Sequence, residues 1–149
     1  MILPQDFKEF ISLLNENNVE YLVVGGYAVS YYGYPRYTGD MDIWINKTNE
    51  NATKMVSVIR DFGFETPQLT IDNFNREHLV TRLGNPPLRI DVLTTIDGIS
   101  FEDSFKIRMI AEVEGLKVNL INYNELLKNK RASGRSKDLN DLENLPQPD

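Results

Sequence analysis

Residues Tyr21–Ile45 read YLVVGGYAVSYYGYPRYTGDMDIWI, and their order decides the fold. Tyr21 to Val24 is a short apolar run broken at Gly25-Gly26, which predicts a buried strand, a tight turn and a short helix over Tyr27 to Tyr32. Pro35 and Gly39 bracket an irregular loop. Beyond it, Met41, Ile43 and Ile45 alternate with Asp40, Asp42 and Trp44 at the two-residue period of a strand, so Asp40 and Asp42 share a face.

On the N-terminal side, Phe7, Phe10, Ile11 and Leu14 recur at helical spacing after Pro4, and Asn15 to Asn18 makes a stop. On the C-terminal side, a helix is expected from about Asn51 to Phe62, with Met55, Val56, Ile59 and Phe62 on one side and Gly63 as its end. His78 to Leu83 and Leu88 to Thr94 read as strands around a Gly84-Asn85-Pro86-Pro87 turn, with Asp91 facing away from Ile90 and Val92. Ile107 to Val113 and Leu116 to Ile121, separated by Glu114-Gly115, read as a hairpin. A helical finish from Tyr123 to about Leu145, interrupted near Gly134, precedes a Pro146-Gln147-Pro148 end that is expected to fray.

These elements predict an α/β (α+β) architecture, a small mixed β-sheet with helices packed on it. One domain is expected over residues 1–149, with a short helical C-terminal segment at about 122–145. There is no internal repeat and no low-complexity tract.

The chain has 149 residues, 16 basic against 22 acidic for a net charge of -6, one histidine and no cysteine. That excludes a disulfide framework, thiolate metal sites, a cysteine nucleophile and a histidine-rich zinc site, so any metal must use oxygen ligands. The start lacks the basic residues and apolar run of a signal peptide, and no stretch nears the ~18 apolar residues of a membrane span. A cytoplasmic protein with no membrane partner is the expectation. The acidic balance argues against broad attraction to nucleic acid but is compatible with a local basic patch.

Two carboxylates at i and i+2 on a strand are rooted ~6.5–7 Å apart on one face, close enough to converge on a cation. Asp91 supplies a third oxygen ligand if its strand lies beside Met41 to Ile45. Magnesium usually takes only one or two carboxylates and completes its shell with water and phosphate oxygens, so such a triad implies a phosphorylated ligand. Gly25-Gly26 lets backbone approach a phosphate and presents helix N-terminal amides to it. Each signal is weak singly; the order of strand, Gly-Gly, helix, Asp-x-Asp strand and a later strand Asp is specific.

Plainer roles stand beside these. An Asp-x-Asp pair also suits a solvated strand end, Arg36 an ordinary loop ion pair, Thr38 a turn and Trp44 the core. His78 suits the surface or a partly buried strand. Tyr27, Tyr31, Tyr32, Tyr34 and Tyr37 can stack on a base or simply fill the core. Lys128, Lys130, Arg131, Arg135 and Lys137 fit either a solvated helix face or a binding face for triphosphate or RNA.

The motif order resembles the nucleotidyltransferase superfamily that includes DNA polymerase β, whose signature is an apolar residue, Gly, Gly or Ser, a spacer and Asp-x-Asp. Val24-Gly25-Gly26 and Asp40-Met41-Asp42-Ile43 carry it. Gly25-Gly26-Tyr27-Ala28, the segment Arg36 to Ile43, and the late Lys137-Asp138 with Asp141 are similar to the subgroup of abortive-infection and related toxin-type nucleotidyltransferases.

The resemblance implies a nucleotidyltransferase fold and Mg²⁺-dependent transfer of a nucleoside monophosphate from a nucleoside triphosphate to an acceptor hydroxyl, with release of pyrophosphate. It assigns Asp40 and Asp42 to two Mg²⁺ ions, with Mn²⁺ as a substitute. Asp91 is assigned to metal binding and activation of the hydroxyl, Gly25 and Gly26 to the nucleotide phosphates, and Arg36 and Lys137 to the triphosphate. The acceptor is a tRNA end, a protein or a small molecule, and no residue chooses among them. A cognate antitoxin protein is the partner that the subgroup implies. Many family enzymes add a helical domain that selects the acceptor, and little chain follows Ile121 here for that task. Two other classes remain open: a non-catalytic nucleotide-binding or partner-binding module of the same fold, and an Asp-x-Asp glycosyltransferase or phosphohydrolase. The Gly-Gly junction and small size weigh against the latter.

Overall fold

Tyr21–Val24 is buried at all four positions, so this strand must be covered on both faces and paired on both edges. The computed structural model describes residues 1–85 and 87–148. In chain order its elements are α1 (Gln5–Glu16), β1 (Tyr21–Val24), α2 (Gly25–Tyr31), β2 (Asp40–Ile45), α3 (Asn49–Asp61), α4 (Ile71–Phe74), β3 (Val80–Asn85), β4 (Leu88–Leu93), α5 (Phe101–Lys106), β5 (Met109–Val113), β6 (Leu116–Leu120), α6 (Tyr123–Ser133) and α7 (Ser136–Asn144).

The strands form one mixed sheet in the order β3-β4-β2-β1-β6-β5. The pairs β1/β2, β3/β4 and β5/β6 run antiparallel, while β1/β6 and β2/β4 run parallel. The expected mixed α/β fold is therefore present.

Strand alternation divides the sheet chemically. Met41, Ile43 and Ile45 are fully buried on one face with Ile90 and Val92 beside them. The other face carries Asp40, Asp42 and Trp44. Trp44 is buried edge-on against Phe101, with ring centroids 5.1 Å apart, so apolar packing begins directly beyond Asp42. In α1, Phe7, Phe10, Ile11 and Leu14 are buried as their spacing predicts, and Phe10 meets Phe62 at 5.1 Å.

Several boundaries differ for identifiable reasons. Helix α2 begins at Gly25 rather than Tyr27. Helix α3 begins at Asn49 because the Thr48 hydroxyl accepts the Asn51 N–H at 3.1 Å and caps the helix. Buried Asn51 then donates to the carbonyls of Glu20 and Asn46, fixing α3 to the ends of β1 and β2. Two short helices were not expected, α4 and α5, each opened by a hydroxyl cap, Thr70 and Ser100. At the C-terminal end Leu145 is buried and the Tyr123 hydroxyl donates to the Pro146 carbonyl, while Pro146, Gln147 and Pro148, the stretch expected to fray, are exposed and without regular structure. The turn expected over Gly84 to Pro87 includes Pro86, which lies outside the described residues. Among the described residues no helix is long and apolar enough to cross a membrane.

Candidate functional site

Strand β4 lies directly beside β2, as the three-carboxylate arrangement requires. Neighbouring residues on parallel strands project from the same face, and the register pairs Asp42 with Asp91 and Asp40 with Arg89. Asp40, Asp42, Arg89 and Asp91 therefore form one patch where β1 turns into α2.

Asp42 is the most perturbed of the acids. Burial pushes its pKa up to about 6; the neighbouring Asp91 charge adds to this, while Lys137 opposes it. Gly25 packs against this carboxylate: it has φ +67°, and a β-carbon there would overlap Oδ2 of Asp42 and lie 3.0 Å from its Cγ. A β-carbon on Gly26 would lie 2.5 Å from Oγ1 and 2.7 Å from Cγ2 of Thr38. Both glycines thus allow close approach of backbone to side chains of the site, in addition to the phosphate role that the resemblance gives them.

Arg89 is the main residue that sequence reasoning missed. Its Nε donates to Asp91 Oδ1 at 2.8 Å, and its Nη2 donates to Asp91 Oδ2 at 3.1 Å and to Asp40 Oδ2 at 2.9 Å. The signal was present, because alternation places Arg89 on the face of Asp91. Arg135, part of the basic run read from the sequence, lines the cleft too, as does Arg82, which depends on the β3/β4 register that no local pattern specifies.

Asp40, Asp42 and Asp91 offer only carboxylate oxygens, the donor set of a hard divalent cation. A cation, the Arg89 guanidinium, already bridges two of them, so the chemistry of the residues fits such an ion. Their present arrangement is another matter. Among the described residues, no three acidic or histidine side chains are grouped to hold a metal.

The cleft has two compartments that share Asp42 and Lys137. One, about 450 Å³, is lined by Gly26, Tyr37, Arg82, Arg89 and Asp91 among others. The second, about 360 Å³, is bounded by Gly25, His78, Asp97, Asn129 and Ser133 among others. Lys137 is exposed at the mouth of both.

Arg36 reaches the first compartment, but its guanidinium is engaged by Asp141, with Nε–Oδ1 at 2.9 Å and Nη2–Oδ2 at 3.1 Å. Asp141 and Asp138 are buried and clasp Lys130, whose Nζ lies 3.0 Å from Asp141 Oδ2 and 3.1 Å from Asp138 Oδ1. Burial works against the charge on Asp138, but hydrogen bonds from Arg135 and Lys130 outweigh it and hold its pKa below the usual carboxylate range. The late acids therefore join α6, α7 and the Arg36 loop through ion pairs. The basic cluster divides accordingly: Lys130 is internal, Lys128 pairs with Glu125, and Arg135 and Lys137 face the cleft.

Of the five clustered tyrosines only Tyr37 borders the first compartment. Tyr27 and Tyr32 donate to the carbonyls of Thr38 and Ile121, and Tyr34 accepts from Asn140. His78 is exposed in the turn before β3.

This mixed sheet with its helices has the fold of two solved nucleotidyltransferase-like structures. A Thermotoga maritima protein provisionally assigned as a nucleotidyltransferase has a TM-score of 0.63 and 16% identity, over 92% of this chain and 88% of that one. An antigenic nucleotidyltransferase-like protein from Paracoccidioides brasiliensis has a TM-score of 0.55 and 18% identity, over 95% of this chain and 75% of that one. No protein-family model and no curated protein matches the sequence.

Proposed function

We propose that the protein is a magnesium-dependent nucleotidyltransferase, moving a nucleoside monophosphate from a nucleoside triphosphate to an acceptor hydroxyl with release of pyrophosphate. The observation that carries this reading is the pairing of Asp42 with Asp91 on parallel strands, with Asp40 on the same face and Gly25 packed against Asp42. Asp40, Asp42 and Asp91 would hold two Mg²⁺ ions, or Mn²⁺ in their place, which when bound offset the negative charge of the reacting phosphates.

The chain's own residues supply the remainder. Lys137, Arg82 and Arg135 surround the larger compartment with positive charge suited to a triphosphate. Gly25 and Gly26 keep the backbone side of the cleft open to the phosphates. Asp91 receives the proton of the acceptor hydroxyl as its oxygen bonds to the α-phosphorus. The bond from that phosphorus to the bridging oxygen breaks, and pyrophosphate leaves with the electron pair. Arg36, held by Asp141, positions the Tyr37–Gly39 loop and directs its remaining donor capacity toward the phosphates. The second compartment, about 360 Å³, suits a small acceptor or the terminal nucleoside of an RNA, while a protein hydroxyl would enter from the open side.

One observation favours a second reading. Arg89 already satisfies Asp40 and Asp91, which suits a nucleotide-binding or partner-binding module that performs no transfer. In either form the protein would serve as the toxin of a toxin–antitoxin pair, restrained by a cognate antitoxin protein.

The deciding experiment incubates the protein with labelled triphosphates, Mg²⁺ and tRNA, protein or small hydroxylated acceptors. Transfer lost in Asp42→Ala supports the enzyme, nucleotide binding without transfer supports the module, and transfer unchanged by Asp42→Ala sinks the site. A growth defect on expression that Asp42→Ala relieves supports the toxin role.

A further inference from the structure

Three oxygens expected to bind metal are already committed to hydrogen bonds. Asp91 Oδ1 and Oδ2 and Asp40 Oδ2 accept from one guanidinium at 2.8, 3.1 and 2.9 Å. The planar fork of arginine matches two-point recognition of a carboxylate, and here it spans β4 to β2 through the second acid. A hard divalent cation shared by Asp40 and Asp91 would sit where the guanidinium now lies. Each carboxylate oxygen keeps a second lone pair, so the two compete through space and like charge: both cations cannot stand between the acids at once.

We propose that Arg89 is an internal competitor for the divalent ion: its guanidinium occupies the cation position between Asp40 and Asp91, and metal loading requires it to swing out. The inference rests on the metal-binding reading of the three acids and adds a residue that sets affinity and order of loading. Two observations support it. Arg89 retains 23% side-chain exposure and borders the larger compartment, so it has space to leave. Asp42 lacks a hydrogen bond from Arg89, so an incoming ion can first meet this side chain and then displace the arginine from its neighbours.

The displaced guanidinium faces the compartment lined by Arg82, Arg135 and Lys137, where a polyphosphate gives it new oxygen partners. Free metal must therefore overcome the Arg89 hydrogen bonds. A metal–nucleotide offers the guanidinium compensation as it moves.

The test is direct Mn²⁺ binding to the full chain by electron paramagnetic resonance, with wild type, Arg89→Gln, Arg89→Lys and Arg82→Gln. Circular dichroism confirms that each variant is folded. Arg82 lies on β3 opposite Asp91 and borders the same compartment without sharing these hydrogen bonds, so its variant controls for loss of a nearby positive charge. Losing the charged hydrogen bonds should tighten Mn²⁺ binding roughly tenfold or more in Arg89→Gln. Arg89→Lys, which keeps the charge but loses the fork, should fall between Gln and wild type, and Arg82→Gln should gain roughly threefold or less. Equal gains in Arg82→Gln and Arg89→Gln, or no gain in Arg89→Gln, overturn the competitor role and leave the metal reading intact. Absence of Mn²⁺ binding by all four proteins overturns both.

Discussion

The α-carbon of Gly25 faces the carboxylate of Asp42 so closely that no β-carbon fits between them, and Gly25 itself has φ +67°. The first Gly of the motif and the second Asp of Asp-x-Asp are thus one packing unit, though sixteen residues separate them in sequence. Gly25→Ala therefore meets a steric overlap and a left-handed backbone together. It is expected to cost at least about 2 kcal/mol, read from the denaturant midpoint. Adding Asp42→Ala should recover the steric part but not the backbone part. Full recovery would refute the conformational share.

Gly26 makes a different demand. Its φ is ordinary, and the obstacle is the Thr38 side chain, 2.5 Å from an added β-carbon at Oγ1 and 2.7 Å at Cγ2. Gly26→Ala should lose about 1–3 kcal/mol as an overpacking defect, and Thr38→Ala should restore most of it in the double variant. A thermodynamic cycle of the four proteins measures the coupling; strict additivity would show that the two residues do not oppose each other.

The fold was legible where burial is periodic. The alternation through Asp40–Ile45 and the four apolar residues of β1 gave the central strands with nearly correct limits, because each side chain's face follows from its parity. Helices α4 and α5 were not legible, since four and six residues are too few to show a helical period. The site divides the same way. Local alternation was enough to put Asp40 with Asp42, whereas the pairing of Asp91 with Asp42 depends on two strands forty-nine positions apart meeting in register. Lys130 misled for a related reason. It reads as one cation in a surface run, and only the return of α7 buries it between Asp138 and Asp141.

The raised pKa of Asp42 makes stability depend on pH. Its folded value of about 6 lies above the unfolded 3.8, so between these values the native state holds more proton than the unfolded chain. Stability therefore falls as pH rises from about 4 to about 6 and keeps that deficit above it. In EDTA, Asp42→Asn should be more stable than wild type above pH 6, by at most about 2–3 kcal/mol, with the gain vanishing near pH 4. Thermal melts at pH 4, 6 and 8 measure this. The same substitution should abolish transfer, so equal stability at pH 8 would count against burial of the charge.

Lys130 is a buried cation facing two buried anions, with 4% of its side chain exposed against 1% for each of Asp138 and Asp141. Lys130→Met preserves length and removes the charge, leaving Asp138 with Arg135 and Asp141 with Arg36. The expected loss is about 3 kcal/mol at pH 7, less if the two arginines close in, read from urea midpoints. Combining Lys130→Met with Asp138→Asn and Asp141→Asn should recover part of it, because no buried carboxylate is then left short of a partner. A neutral Lys130→Met would show that the arginines alone satisfy both acids.

Arg36 and Lys137, paired by the motif resemblance as triphosphate contacts, should separate when substituted. Arg36 is engaged with a carboxylate that is 1% exposed, so Arg36→Ala removes a charged hydrogen-bonding partner from Asp141 and should lower the melting temperature markedly. Lys137 is exposed and borders both compartments. Lys137→Ala should change stability by no more than about 0.5 kcal/mol. If Lys137 meets the triphosphate, that variant should raise KM for the nucleotide roughly tenfold while changing kcat less, the effect of losing one charged contact made equally in ground and transition states. Melting curves and steady-state kinetics on both variants resolve the assignment: a Lys137→Ala protein with an unchanged KM would remove Lys137 from the phosphate site, and an Arg36→Ala protein with an unchanged melting temperature would show that the Arg36–Asp141 pair carries no stability.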